Sequence, residues 1–219
     1  CVTLNPDIRC GLMNDFTLLL PEFMLTGLAF LVLVADLVIR VDRKPLIPYT
    51  AIVGLGGVLA FSLVFLWGDT GSLYGGLFRI DGYALFFKAV LITIGIFIVL
   101  SSIDYVKKYL DHPGEYYGIL VFTILGMVLL ASSAELLTAY ISLELLSFGL
   151  YALVGFDRYN PKSNEASTKY ILLGAVSSAI MLYGISQIYG LLGTTRFDEI
   201  AISLAALPEL SPGLIIGIV

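Results

Sequence analysis

Ligands for redox chemistry are nearly missing from this sequence. It holds two cysteines, Cys1 and Cys10, and one histidine, His112, with no C-x-x-C and no C-x-x-C-H. Haem, iron–sulfur and zinc sites draw on those side chains, so the chain is expected to bind no metal and no redox cofactor. Charge is scarce as well: Asp, Glu, Lys and Arg make up 13% of the residues, against about a quarter in a soluble domain. No basic tract and no interleaving of basic and aromatic residues is present, which argues against nucleic acid as a partner. The net charge of −5 says little, because few of these charges face bulk water. Cys1 and Cys10 lie near the start, outside the strong apolar runs. They pair only if that end faces an oxidising compartment; two free thiols is the other reading.

What the chain has instead is apolar length. It is 58% hydrophobic with a mean hydropathy of +0.96, and a helix crossing the hydrocarbon core needs about 20 apolar residues. Runs at 16–39, 46–67, 83–103, 116–133, 136–156 and 166–192 read as six complete spans, and a seventh begins near 212. The expected fold is an all-α polytopic membrane protein, one transmembrane domain over 1–219, with no loop long enough to insert a soluble domain. The connection 68–82 reads as a turn-rich loop. Only Ala134 and Glu135 separate the fourth and fifth runs, so those helices must be antiparallel neighbours. Gly54, Gly56 and Gly57 in the second run, and Gly174 with Ser178 in the sixth, offer small faces that let helices approach closely. Tyr151, Tyr170, Tyr183 and Tyr189 read as belt and packing residues. The chain opens on Cys1 without a methionine and closes inside a fresh apolar run, as a piece of a longer protein would. A lipid-modified Cys1 would need an upstream lipobox that is not visible.

Lysine and arginine in short loops set orientation. Arg40, Arg43 and Lys44 follow the first run, Lys107 and Lys108 the third, and Arg158 and Lys162 the fifth, while the other side holds only Arg9, Arg79 and Arg196. This bias places the N-terminus outside.

The informative charges are those within the apolar runs. Glu144 lies about 18 Å from the cytoplasmic end of its run at helical rise, too deep to snorkel. It must be protonated, paired with a cation, or facing a wet cavity, and intramembrane acids of this kind commonly move protons or ions. A neutral acid hydrogen-bonded to a neighbouring helix is the structural alternative. Lys169 sits early in the sixth run; it either snorkels to the cytoplasmic surface or turns inward as a proton carrier. Lys88, five residues into its run, has the same two readings on the opposite side, and the structural one, snorkelling outward, is preferred. Glu22 and Asp36, near the two ends of the first run, can reach the headgroups.

Beyond these features, the stretch 139–156 (AYISLELLSFGLYALVGF) resembles the fifth helix of the antiporter-like membrane subunits of respiratory complex I. Residues 163–184 (SNEASTKYILLGAVSSAIMLYG) resemble the sixth helix of subunit N of NADH–quinone oxidoreductase, and 81–88 (DGYALFFK) with 102–105 (SIDY) resemble its third helix. The resemblance implies the N-terminal part of a fourteen-helix fold of two inverted repeats, each framing a proton half-channel. Glu144 falls on the family's fifth-helix glutamate and Lys169 on its sixth-helix lysine, both in proton transfer; the seventh-helix lysine would lie beyond Val219. The implied function is a proton-translocating membrane-arm subunit coupled to quinone reduction. Its partners would be the lipid bilayer and other membrane subunits, with NADH and quinone used by the whole complex and neither bound by this chain. The implied location is a bacterial plasma membrane, with thylakoid and mitochondrial inner membranes left open. A subunit of a multi-component Na+/H+ antiporter and a non-conducting scaffold subunit are the rival readings.

Overall fold

The computed structural model describes residues 18–38, 46–66, 70–110, 112–206 and 212–218. Cys1, Cys10 and Arg9, and the basic residues Arg40, Arg43 and Lys44 on which part of the orientation argument rests, lie outside the described residues.

Among the described residues, six helices are long and apolar enough to cross a membrane: α1 (Leu20–Val38), α2 (Ile47–Phe65), α3 (Gly82–Tyr109), α4 (Pro113–Ser132), α5 (Leu136–Val154) and α6 (Pro161–Leu192). The expected membrane bundle is therefore the observed one. Two helices outrun their apolar stretches because their ends are polar but well capped. In α3 the Asp81 side chain accepts from Ala84 N at 2.8 Å, and the helix continues to Lys107 and Lys108, cations that complement the carbonyl end. In α6 the Asn160 side chain accepts from Lys162 N at 3.1 Å. Pro161 then opens the helix five residues ahead of the apolar run. Gly193, at φ 71°, closes it in the left-handed conformation. Two short helices follow, α7 (Phe197–Ala206) and α8 (Pro212–Ile218).

The connection read as a loop contains a hairpin. Strand β1 (Gly71–Leu73) pairs antiparallel with β2 (Phe78–Ile80), Leu73 opposite Phe78. The turn between them needs three positive φ values, at Tyr74, Gly75 and Gly76. Leu73 and Ile80 bury with Leu19, Leu66 and Leu85 in a small cluster over that end of the bundle.

The main core is built on α4, which packs against α1, α2, α3 and α5. Its buried residues Tyr117, Leu120, Val121, Ile124, Leu125 and Val128 leave little of it facing lipid. Its neighbours present single stripes with the three-and-four spacing of a helix face. On α1 the stripe is Glu22, Leu25, Ala29, Val32 and Asp36. On α3 it runs through Lys88, Ile92, Gly95, Val99, Ser102 and Val106. α6 is the opposite case, with only Gly184 and Ile185 buried.

Candidate functional site

α5 is held to α4 by close backbone approach. Gly126 lies against the backbone of Leu146, and Gly149 against the Thr123 hydroxyl, so a side chain at either glycine would force the helices apart. Ser142 is buried and Leu145 and Leu153 pack on the core, which fixes the face of α5 that meets α4. The short turn at Ala134 and Glu135 thus does make α4 and α5 antiparallel neighbours.

Glu144 stands about 200° round the helix from Ser142 at 3.6 residues per turn, on the face away from α4. It is half-buried, and its Oε1 is shielded from solvent with no hydrogen-bond partner. Tyr140, one turn earlier, is close enough to interact with it electrostatically. Tyr151, seven residues on, shares its stripe and packs against α6. The Tyr151 and Tyr170 rings meet edge to face at 4.8 Å, and Gly174 leaves the space that the Tyr151 hydroxyl fills. Ser167 Oγ donates to the Tyr151 carbonyl at 3.1 Å, and Ser163 Oγ to the Val154 carbonyl at 2.7 Å. The glycine of the small-residue face is therefore used in packing, as its spacing implied.

Lys169 is not on that contact face. Ser163, Ser167, Tyr170 and Gly174 centre about 130° away from it around α6. Its side chain is 70% exposed and pairs with Glu165, one turn earlier, at 2.5 Å. Among the described residues Glu144 and Lys169 are not brought together.

A different pair is. Lys88 Nζ and Glu22 Oε1 lie 2.5 Å apart, their side chains 0% and 6% exposed. Lys88 does not snorkel, and Glu22 and Asp36 do not reach headgroups; all three are buried. Helical phase explains the correction. Depth along a helix says how far a charge is from water, whereas position around it says which way it points. All three sit on the stripes that face the core, at spacings visible in the sequence.

A polar cap closes the hairpin end. Buried Glu135 accepts from Thr195 Oγ1 at 2.5 Å and from Thr138 Oγ1 at 2.9 Å. Arg196 Nη1 donates to the Gly75 carbonyl at 2.6 Å, and backbone bonds join Leu136 to Thr195 and Ala134 to Leu77. Arg196 also pairs with Asp198 at 3.4 Å. The guanidinium holds the Asp198 carboxyl below the usual carboxylate range, and that hydrogen bond pushes Arg196 up. At the other end Asp36, His112 and Glu115 bring three potential ligand atoms within 4.8 Å of one another, the one such group among the described residues.

The family described as "NADH:quinone oxidoreductase/Mrp antiporter, TM" matches residues 133–218, which include Glu144 and Lys169. Subunit N of the NADH-quinone oxidoreductase of Dehalococcoides mccartyi is 36% identical over 208 residues, 92% of this chain and 42% of that protein. Subunit N 2 of Rhizobium meliloti is 39% identical over 204 residues, 91% of this chain and 41% of that one. The chain belongs to this family of membrane subunits. It spans about two fifths of the length of these curated relatives. Among solved structures, respiratory complex I from Thermus thermophilus aligns with a TM-score of 0.70 at 26% identity, covering 90% of this chain and 41% of that one. The Mrp complex from Dietzia sp. aligns with a TM-score of 0.69 at 19% identity, covering 88% and 22%, and so shares the fold alone.

Proposed function

We propose that the chain is a proton-translocating membrane-arm subunit of NADH:quinone oxidoreductase, with Glu144 as its proton-exchanging group. The observation that carries this is the placement of Glu144: mid-helix, on the face of α5 turned from α4, with one oxygen shielded and unbonded. A carboxyl has a neutral and a charged form, and an approaching cation favours the charged one. Alternating between the two moves a proton. Moving one charge across 100 mV costs about 2.3 kcal/mol, the order of energy that making or breaking one shielded charge pair supplies. Lys169 would act as the sixth-helix proton carrier once further helices cover its face of α6. NADH and quinone would be handled by other subunits, consistent with a sequence of two cysteines and one histidine. Curated relatives at 36–39% identity carry the subunit N name, which favours this reading over a Na+/H+ antiporter subunit. The proposed setting is a bacterial membrane with the hairpin end outside.

The test is Glu144→Gln in the intact complex. It keeps shape but removes titration, and should assemble yet lose about tenfold or more of coupled proton uptake in vesicles, with Glu144→Asp retaining part. Parental pumping by the Gln variant would leave the scaffold reading in place. Orientation is tested separately. Cysteine at Arg79 should react with an impermeant outside reagent and cysteine at Lys108 should not; the reverse pattern would invert the topology.

A further inference from the structure

We propose that Glu22 and Lys88 form a second proton-exchange site, between α1 and α3 at the hairpin end of the bundle; this rests on the proton-translocating reading above. The pair lies outside the family match, which begins at residue 133. Three observations carry it.

The two groups are in contact at 2.5 Å and sealed from solvent. Neither is satisfied beyond that contact: both Glu22 oxygens and Lys88 Nζ lack a directed hydrogen bond. A buried ion pair serves stability only when its remaining lone pairs and protons are bonded, so this one is a poor tie. Spare donor and acceptor capacity is what a site exchanging protons with water needs. Finally, among the described residues the pair is isolated from other charges. α2 carries no charged residue, α4 has only Glu115, in its first turn at the far end, and Asp36 lies about 21 Å further along α1. Asp81, at the start of α3, is engaged with Ala84 N, and Arg79 lies above in the hairpin. No third charge among the described residues locks the pair, which leaves it free to exchange a proton.

The step balances without electron transfer. The Lys88 ammonium gives a proton to Glu22 Oε1, breaking N–H and forming O–H, and leaves an amine and a carboxylic acid. The amine takes a proton from water on the bundle side, and the acid releases one towards the hairpin side. Both groups return to their starting state and one proton has moved.

The test uses the intact complex in vesicles. Glu22→Gln with Lys88→Met removes both charges together, so no uncompensated charge stays buried. The double variant should assemble at the parental level and lose about tenfold of coupled proton uptake; assembly with parental proton uptake per donor oxidised would overturn the proposal. Should it fail to assemble, Lys88→Arg keeps the positive charge on a group that does not release protons, and parental pumping by that variant overturns it equally. A third readout needs no loss of function. The turnover infrared difference spectrum of the parental complex should contain a carboxyl band that Glu22→Asp displaces, and its absence sinks the idea. Glu144→Gln is assayed alongside. If that variant pumps normally, the underlying reading has failed; if it is impaired and the Glu22–Lys88 variants are not, only this inference has.

Discussion

Two lysine–glutamate pairs among the described residues have the same 2.5 Å separation and little else in common. Lys88 and Glu22 are 0% and 6% exposed and come from two helices; Lys169 and Glu165 are 70% and 65% exposed and come from one turn of α6. Distance therefore says almost nothing about what either pair is worth. Breaking a buried pair leaves an uncompensated charge out of water, at about 3–5 kcal/mol, whereas an exposed pair contributes about 0–1 kcal/mol. The cause of the difference lies in the helices. Lys88 is in phase with Ile92, Val99 and Val106 on the buried stripe of α3. Lys169 is on a helix that buries only Gly184 and Ile185.

The sharpest way to break this comparison is Lys88→Met alone. It strands the Glu22 carboxylate between α1 and α3, and should lower thermal stability in detergent by about 3–5 kcal/mol. Adding Glu22→Gln should restore most of the loss. A single variant as stable as the parent would mean that burial gives this pair no more weight than an exposed one, and the contrast would fail.

How much of this was legible beforehand divides along the same line. Run length alone gave the six helices, since about 20 consecutive apolar residues have few other uses. The two-residue link at Ala134–Glu135 gave one pairing. The C-terminal end of α3 and the N-terminal end of α6 were placed short, because hydropathy does not register the polar last turn with Lys107 and Lys108, nor the polar first turn that Asn160 and Pro161 begin. The hairpin was missed because three-residue strands carry too little pattern, although the Tyr74–Gly76 turn was a signal. The burial of Glu22 and Lys88 was legible and misread: depth along the helix suggested snorkelling, while the phase with Leu25 and Ile92 already pointed both inward. What faces Glu144 was not legible, because a sequence does not state which helix faces meet.

The exposed pair should behave the other way. Lys169→Gln and Glu165→Gln, singly or together, should change stability by less than about 1 kcal/mol, with a coupling energy near the bottom of that range. Lys169→Arg should be silent in stability yet impair proton uptake in the complex, because a guanidinium does not release its proton. Parental uptake by Lys169→Arg would return the residue to a surface anchor.

The smallest effect belongs to a third pair, Arg196 with Asp198, which is 3.4 Å apart and exposed at 36% and 45%. Here the argument runs through pH. The Asp198 carboxyl is held below its ordinary value of 3.8 by the Arg196 guanidinium, so the folded chain binds a proton there less readily than the unfolded chain. The stabilisation is therefore complete above the ordinary value, and is lost as pH falls through the lower, folded one. Arg196 stays charged throughout and adds no slope. The cap should accordingly loosen only in acid. Hydrogen exchange at Arg196 and Phe197 should quicken below about pH 4 in the parent, and Asp198→Asn should bring the same quickening at neutral pH without further change in acid. Salt should mimic part of the effect, because an exposed pair is screened within about 8–10 Å. An acid response undiminished in Asp198→Asn would show that the Arg196–Asp198 pair is not what acid loosens.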